Sequence, residues 1–305
     1  MFVPAYKKLP EATFDEKIRQ LDKILSECVL CPRKCGVNRK KGEKGYCRAD
    51  ANLCISSYGA HSGEENILVG KFGSGTIFMS WCNLRCCFCQ NYDISLKGVG
   101  QIVSIEQCVE IMLYLQKRYC HNINLVTPTH FTPQLVKAIK IASERGLNIP
   151  IVWNCGGYEN IEVIKLLEGI VDIYMPDIKF SNPQTAKILS NAYDYFEQCK
   201  MAVKEMYRQV GEIHIENGIA NKGLLIRHLV LPGGIAGSEE IFLFIKNELS
   251  ERVFVNIMAQ YRPCGNIPEN INRPITKKEY WHTIESARRI GLKNIMVQNS
   301  LLDFQ

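Results

Sequence analysis

The sequence predicts an α/β protein built around a parallel β-sheet. After residue 74, short apolar runs alternate with helical patterns, and most of these runs are nearly continuous in Val, Ile and Leu. Continuous apolar runs are typical of strands buried on both faces of a parallel sheet. The chain is also 46% hydrophobic, enough to form a sizeable core. The pattern fits a TIM-like barrel and an open doubly wound sheet equally, and both place their sites at the carboxyl ends of strands.

Seven apolar runs are the predicted strands. They span residues 76–81, 123–127, 150–154, 171–175, 224–231, 253–258 and 294–298. Capping patterns mark the starts of helices between them. Ser104 with Gln107, and Thr276 with Glu279, match the capping box, in which each side chain bonds the other residue's backbone N–H.

The first 74 residues have a different character. A helix is predicted over 14–27, with Thr13 and Glu16 as its capping box. It leads into "CVLCPRKCGVNRKKGEKGYC", which is rich in Cys, Gly and basic residues and has little apolar periodicity. We therefore expect a small cysteine-rich metal-binding extension over residues 1–74, followed by a main domain over 75–305.

Charge and hydropathy narrow the class of protein. The net charge is +6, and the most basic stretch (39–48) is interrupted by Glu43 and glycines, so the sequence carries no strong signal for a nucleic-acid partner. No apolar run approaches the ~20 residues needed to cross a membrane, and the N-terminus lacks the order of a signal peptide. The sequence thus predicts a cytoplasmic protein without a membrane partner. Disulfides are rare there, so fourteen cysteines indicate metal or redox chemistry.

The stretch "WCNLRCCFCQN" (81–91) holds four cysteines within eight positions. Cys82, Cys86 and Cys89 have the spacing C-x₃-C-x₂-C, and Cys87 is a surplus thiol. Because the first predicted strand ends here, these thiols should lie at the carboxyl edge of the sheet. Closed clusters use four cysteines, so three thiolates on a cubane cluster leave one iron open to a substrate or cofactor. A zinc knuckle is the alternative.

This motif, with Phe88 directly before the third cysteine, resembles that of the radical S-adenosylmethionine (SAM) superfamily. The resemblance implies that Cys82, Cys86 and Cys89 hold a 4Fe–4S cluster. It also implies that SAM binds the open iron through its amino and carboxylate groups, and that the reduced cluster cleaves it to a 5′-deoxyadenosyl radical. By the same resemblance, Phe88 packs near the adenine and Cys87 is not a ligand.

Further stretches resemble the pyruvate formate-lyase activating-enzyme-like subfamily; they are "LVTPTHFTPQ", "WNCGGYE", "VDIYMPDIKF", "RHLVLPGG" and "NIMAQYRP". The resemblance implies a partial (β/α)6 TIM-like barrel, an oxidoreductase that abstracts hydrogen from a substrate such as a glycine of a partner protein, and an electron donor of flavodoxin or ferredoxin type.

One departure from the family pattern weakens the prediction of a glycyl-radical enzyme as substrate. Where several glycyl-radical activators carry a ferredoxin-like insertion, residues 90–121 hold only Cys108 and Cys120. A small-molecule or RNA substrate, or a non-catalytic iron–sulfur or zinc protein, remains open.

Two residues at the end of predicted strand four are the catalytic candidates. Relatives carry Asp-x-Lys near cofactor and substrate, and the resemblance carries this role to Asp177 and Lys179 in "PDIKF". Alternation along a strand puts both side chains on one face. A plain ion pair at the sheet edge is the alternative.

Four more strand residues are candidates for binding the cofactor. Thr129 and His130 stand where relatives hold the methionyl amino group. Asn154 ends the third strand and precedes glycines that allow close approach of a ligand. Arg227 lies within an apolar strand, where its charge needs a partner such as the cofactor carboxylate. The roles of five further polar residues stay open, namely His61, Glu64, Glu65, Tyr261 and Arg262.

The N-terminal segment contains a second cysteine set. Cys28, Cys31, Cys35 and Cys47 follow the pattern C-x₂-C-x₃-C-x₁₁-C within a glycine-containing loop. Four thiolates complete a tetrahedral zinc site or hold an auxiliary iron–sulfur cluster, and the spacing does not choose between them. We call these four residues the tetrad.

Overall fold

The computed structural model describes residues 2–297 and shows an α/β fold with a mostly parallel sheet. Its strands run in the order β10-β9-β8-β6-β5-β4-β2-β1-β3, and β7 pairs with β8 beside this path. The strands are β1 (Cys54–His61), β2 (Ser74–Met79), β3 (Gln101–Ile102), β4 (Ile123–Val126), β5 (Ile151–Cys155), β6 (Ile173–Pro176), β7 (His214–Glu216), β8 (Ile219–Leu229), β9 (Phe254–Met258) and β10 (Asn294–Val297).

Residues 2–297 contain ten α-helices. They are α1 (Glu11–Ile24), α2 (Asn66–Val69), α3 (Tyr92–Ser95), α4 (Ile105–Lys117), α5 (Thr132–Glu144), α6 (Ile161–Leu166), α7 (Pro183–Ser190), α8 (Tyr195–Val210), α9 (Ser238–Phe244) and α10 (Lys277–Ile290). Those after α3 lie between successive parallel strands. Two of the three predicted capping boxes form, from Ser104 with Gln107 before α4 and from Thr276 with Glu279 before α10. Local sequence therefore determines where these two helices begin.

All seven predicted strands are present as β2, β4, β5, β6, β8, β9 and β10, and they pair in parallel. Gln298, the last residue of the seventh predicted strand, lies outside the described residues. Three antiparallel strands were not predicted, namely β1, β3 and β7. The predicted α/β class is confirmed, but β10 and β3 are unpaired ends of the sheet within residues 2–297, so the barrel is not closed there. The count of six β/α units stays a prediction.

The N-terminal region differs from the prediction in two respects. Its helix spans Glu11–Ile24 rather than 14–27, because Pro10 takes the N-cap position and places Thr13 inside the first turn, where it does not cap. The boundary at residue 74 also falls inside the sheet, since β1 pairs antiparallel with β2 across it. Residues before 74 are therefore partly integrated with the main domain.

Short helix α2 covers the inner face of the sheet on the side away from the carboxyl edge. Its Leu68 is fully buried against Val152, Ile173 and Leu225, which come from three neighbouring parallel strands. This packing fixes the chain just before α2, including Glu64 and Glu65, against the sheet interior.

Within residues 2–297, no helix has the length and apolarity needed to cross a membrane.

Candidate functional site

A cavity of about 340 Å³ lies at the carboxyl edge of the parallel strands. Cys86, Phe88 and Cys89 from the loop after β2 form one part of its wall. The ends of other strands supply polar side chains, namely Asn154, Asp177, Lys179 and Arg227. Two of the three candidate thiols and four of the candidate polar residues thus share one cavity, as the strand-end argument predicts.

Residues 82–89 are called the cluster loop below. The backbone turns sharply in this region, since Trp81 and Arg85 adopt left-handed conformations with φ of 72° and 52°. The thiols of Cys82, Cys86 and Cys89 lie close enough that a charge on one raises the pKa of another. Burial is the largest effect and raises the pKa of Cys82 to about 11, whereas the ammonium of Lys179 opposes it.

Hydrogen-bond donors reach two of these sulfurs. The backbone N–H of Leu84 donates to Cys82 Sγ at 3.4 Å, and the hydroxyl of Ser95 donates to Cys89 Sγ at 3.0 Å. Hydrogen bonds to sulfur stabilise the thiolate form and tune the potential of iron–sulfur clusters. Three neighbouring thiols, one buried and two partly buried, with such donors and a nearby cation fit the 4Fe–4S cluster that the sequence motif implies.

The other two residues of interest in the cluster loop have different surroundings. Cys87 is half-buried, donates its backbone N–H to Leu189 O at 2.9 Å and is not part of the cavity wall. Phe88 is buried, and its ring packs at 6.0 Å between centroids against both Phe180 and Tyr261. Phe88 therefore offers an apolar surface to the cavity, while the predicted adenine contact stays a prediction.

Arg227 is the centre of the polar network. Its guanidinium donates to Asp177 Oδ1 at 2.8 Å and to Asn154 Oδ1 at 2.7 Å. Lys179 Nζ donates to the other Asp177 oxygen at 2.6 Å. The partner that the buried Arg227 charge requires is thus Asp177, supported by Asn154.

The electrostatics fix the charges in this network. Burial disfavours ionised Asp177, but Arg227 and Lys179 outweigh it and lower the pKa of that carboxyl below its ordinary value. Burial likewise disfavours protonated Lys179, but Asp177 and the Cys86 thiol raise the net pKa of its ammonium. Permanently charged groups of this kind bind and orient a ligand rather than exchange protons with it.

Two of the unassigned residues before β2 also reach the cavity. His61 and Glu64 line its wall, with His61 Nδ1 3.4 Å from a Glu64 oxygen. Glu64 lies 3.7 Å from Arg227, and burial raises the pKa of its carboxyl. Glu65 is buried and accepts a 2.8 Å hydrogen bond from Asn256. Glu64 therefore lies at the cavity wall, and Glu65 lies in the sheet interior.

Thr129 and His130 do not reach the cavity. They lie in a buried 3-10 turn between β4 and α5, and each finds a protein partner. The Thr129 hydroxyl donates to Glu159 at 2.7 Å, and His130 Nε2 lies 2.7 Å from Ser80 O. The short turn directs the two side chains to these partners, and their predicted role at the cofactor stays a prediction.

Tyr261 and Arg262 are also away from the cavity wall. Tyr261 is buried and donates its hydroxyl to Ile271 O at 2.9 Å, while Arg262 is exposed. Three polar residues that the sequence analysis did not select do line the cavity, namely Gln90, Asn91 and Gln260. Gln90 and Asn91 directly follow Cys89, so their position next to the cysteine motif could have predicted that they line the cavity.

The tetrad lies in an irregular segment between α1 and β1. Cys28, Cys31 and Cys47 are buried and Cys35 is exposed. Cys31 lies within electrostatic reach of Cys28 and Cys47, and Cys47 within reach of Cys35. Across residues 2–297, no three or more His, Cys, Asp or Glu side chains are placed to hold a metal ion. The tetrad thiols therefore lie near one another but do not form a closed site for a single metal ion.

The backbone around Cys35 is shaped to its sulfur. Tyr46 N–H donates to Cys35 Sγ at 3.4 Å, and a Cβ on Gly45 would lie 2.8 Å from the same atom. The opposite side of the segment is closed by two backbone bonds, from Cys28 N–H to Val37 O and from Gly36 N–H to Cys28 O. An N–H donor and a glycine packed on a sulfur fit a thiolate that binds a metal.

Solved structures with a similar course of the chain have low sequence identity. They include HydG, a maturase of the FeFe-hydrogenase (TM-score 0.49, 12% identity, 73% of this chain and 50% of that chain), and methylornithine synthase (TM-score 0.41, 15% identity, 75% and 73%). The cobalamin-dependent SAM radical enzyme OxsB gives a TM-score of 0.41 at 14% identity, over 71% of this chain and 31% of that chain. This chain thus spans half the length of the HydG chain and less than a third of the OxsB chain.

Two curated relatives are uncharacterized proteins of Methanocaldococcus jannaschii. One is 34% identical over 288 residues, covering 91% of this chain and 79% of the relative. The other is 28% identical over 313 residues, covering 95% and 85%. The sequence profile of the radical SAM superfamily matches residues 76–245, which include the cluster loop and strands β4–β8. The chain therefore belongs to the radical SAM superfamily.

Proposed function

We propose that the cavity at the carboxyl edge binds SAM beside a 4Fe–4S cluster and presents a substrate for hydrogen abstraction. Membership of the superfamily implies both cofactors. When bound and reduced, they supply an organic radical that removes a hydrogen atom from the substrate. The observation that carries the proposal is that Cys86 and Cys89 share one cavity wall with Asn154, Asp177 and Lys179.

The charged network is suited to an amino-acid group. Asp177 offers carboxylate oxygens to an ammonium group, and the cations of Lys179 and Arg227 stand beside it for a carboxylate. The methionyl end of SAM carries one group of each kind. Because the network is held by hydrogen bonds of 2.6–2.8 Å, it is ordered before a ligand arrives.

Apolar side chains complete the wall of the cavity. They are Phe78, Phe88, Val126, Leu229 and Met258. Surfaces of this kind exclude water from a bound ligand and strengthen the charge interactions inside the site. The chain's own contributions are thus to hold iron, orient the ligand and keep the site dry.

The finer proposal concerns the substrate. The stretches that resemble the activating-enzyme-like subfamily support a glycine of a partner protein as the source of hydrogen, and an electron donor of flavodoxin or ferredoxin type. Against the glycyl substrate, Cys108 and Cys120 are buried core residues and form no ferredoxin-like insertion. We propose that the reaction takes place in the cytoplasm, as the hydropathy of the sequence and the order of its N-terminal residues predict.

The tetrad is proposed as a second metal centre, of zinc or of iron and sulfide. The Tyr46 N–H donor at Cys35 and the electrostatic interaction of Cys47 with Cys28, Cys31 and Cys35 support it. Either metal would add folding energy to a segment with little regular structure of its own.

Anaerobic reconstitution with iron, sulfide and a reductant tests the proposed reaction. The loaded protein should convert SAM to 5′-deoxyadenosine, and a variant with Cys82, Cys86 and Cys89 all changed to Ala should not. A cluster with full iron content that forms no 5′-deoxyadenosine would contradict the proposal. Incubation with candidate glycyl-radical proteins tests the substrate, since a new glycyl radical signal in EPR is expected only for the true partner.

A further inference from the structure

Arg33 connects the tetrad to the cluster loop. It lies between Cys31 and Cys35 in sequence, and its guanidinium extends to three backbone carbonyls outside the tetrad segment. Nε donates to Asn83 O at 3.1 Å, one Nη donates to Ser190 O at 2.8 Å, and the other donates to Asn191 O. Five N–H donors in a rigid fork make Arg the side chain suited to such a contact.

The accepting carbonyls belong to two elements that meet at the radical site. Asn83 directly follows Cys82, is 1% exposed, and donates its own side-chain amide to Tyr158 O at 2.7 Å. Ser190 and Asn191 end helix α7, whose terminal carbonyls carry partial negative charge and favour a cation. The same helix end accepts the backbone N–H of Cys87. Arg33 therefore holds the cluster loop and α7 together.

The position of Arg33 depends on the whole tetrad. Its guanidinium carbon lies 3.8 Å from the centre of the Tyr46 ring and 5.1 Å from that of Tyr158. Tyr46 precedes Cys47 and donates its N–H to Cys35 Sγ. Arg33 is thus fixed by both halves of the tetrad segment, which a metal bound to the four thiols would lock together.

We infer that metal binding at Cys28, Cys31, Cys35 and Cys47 positions the radical site through the contact of Arg33 with Asn83. Arg33 is a positioning residue: it touches neither cofactor, but it sets the backbone next to Cys82. This inference rests on the proposed function, because it assigns Cys82 to the radical cluster. The acceptor residue Asn83 is joined directly to Cys82 by a peptide bond, so a small shift of Asn83 is transmitted to Cys82.

The test uses the reconstituted full-length protein and the variants Arg33→Met and Arg33→Lys. In Arg33→Met, iron at the cluster loop should be retained, but the SAM concentration that half-saturates the EPR change of the reduced cluster should rise about tenfold or more. Lys keeps the charge but not the fork, so Arg33→Lys should recover part of the loss. Arg19→Met is the matched control, since Arg19 is an exposed arginine paired with Glu16 on α1.

A second readout does not depend on SAM. Amide hydrogen exchange at Cys87, whose N–H bonds to Leu189, should speed up about tenfold or more in Arg33→Met and in Cys47→Ala, but not in Arg19→Met. If wild-type protein shows no EPR response to SAM yet exchange responds as described, the proposed function fails and the positioning link stands. Unchanged exchange and an unchanged SAM titration in both variants would overturn the link.

Metal analysis tests the centre itself. The variant lacking Cys82, Cys86 and Cys89 should retain either about one zinc or about four iron with sulfide per chain, and Cys47→Ala in the same background should lose it. Either metal supports a thiolate centre at the tetrad and identifies it. Negligible zinc and iron in the folded triple variant would overturn the inference.

Discussion

The cluster loop and the tetrad are two cysteine-rich loops with nearly the same local chemistry. In both, three cysteines are separated by spacers of two and three residues, and the tetrad adds a fourth eleven residues further on. In both, a backbone N–H donates to a sulfur, at Cys82 in one and at Cys35 in the other. The difference lies in what each loop faces. The cluster loop opens onto a cavity with Asp177, Lys179 and Arg227, whereas no tetrad cysteine lines that cavity and backbone N–H groups donate to Cys31, Cys35 and Cys47.

This contrast shows which part of a function cysteine spacing can predict and which part it cannot. Spacing identifies which thiols can act together, but the groups beyond the thiols decide whether a ligand can be bound there. A charged cavity beside three thiols favours chemistry on a ligand. A site with a fourth thiol and no adjoining ligand cavity favours a structural metal that stabilises the fold.

Loss of one ligand from the cluster loop should give the largest effect. Cys82→Ala, Cys86→Ala or Cys89→Ala should each reduce formation of 5′-deoxyadenosine to the background rate, because the radical cluster loses one of its three protein ligands. Cys28→Ala in the tetrad should leave measurable turnover. Assays of 5′-deoxyadenosine with parallel iron analysis compare the two loops directly. If Cys28→Ala also formed 5′-deoxyadenosine only at the background rate, the proposed difference between the cluster loop and the tetrad would be wrong.

Loss of a cation from the cavity should give the next largest effect. Lys179→Met leaves Asp177 with Arg227 alone and removes the charge that opposes the raised pKa of Cys82 and Cys86. We expect half-saturation by SAM to need at least about tenfold more cofactor at unchanged iron content. Lys165→Met is a suitable control, because Lys165 is a half-exposed lysine paired with Glu162 on α6. An unchanged SAM titration for Lys179→Met would show that the network does not contact the cofactor.

The sequence was sufficient to predict the parallel strands and the assembly of the cavity. Continuous apolar runs locate β4 to β6, and polar residues at their ends, Asn154 and Asp177, meet at one edge because parallel strands share direction. The capping box at Ser104 fixed a helix start for the same local reason.

Other features depend on tertiary contacts that no local pattern reveals. β1 reads as a polar, half-exposed segment, and it becomes a strand only by pairing with β2. Thr129 and His130 follow a strand like the true cavity residues, but a 3-10 turn redirects them to Glu159 and Ser80. The acceptors of Arg33 at Asn83 and Ser190 are 50 and 157 residues away along the chain, so its role could not be predicted.

A smaller effect concerns how the segment leading to the tetrad is attached to the sheet. Asp172 accepts the backbone N–H groups of Ala5 at 2.7 Å and Ile151 at 2.9 Å. Burial nevertheless raises the pKa of its carboxyl from 3.8 to about 7. Its protonated form therefore contributes stability that is complete below pH 3.8 and is lost as the pH rises to about 7.

Urea unfolding of wild-type protein and Asp172→Asn between pH 4 and 8 measures this contribution. Relative to the variant, the free energy of unfolding of the wild type should fall by up to about 1 kcal/mol per pH unit until pH 7, and then level off. Asn cannot ionise, so it lacks this slope. A difference between the two proteins that stays constant with pH would contradict the assignment.

Cys87→Ala should give the smallest effect of the set. Cys87 is in the cluster loop but outside the cavity wall, and its fixed contact is made by its backbone N–H, which Ala retains. We expect 5′-deoxyadenosine formation within about twofold of wild type. A loss equal to that of Cys86→Ala would mean that the ligand set in this loop is assigned in the wrong register.

EPR spectroscopy of the reduced protein before and after addition of SAM tests the central claim, that the cluster loop holds an open iron–sulfur site. The spectrum should change on addition of SAM in the wild type and in Cys28→Ala, the latter at a higher SAM concentration. The signal should be absent when Cys82, Cys86 and Cys89 are all replaced, unless the tetrad itself contributes a cluster, whose signal would not respond to SAM. A cluster signal in the wild type that SAM leaves unchanged would contradict the account.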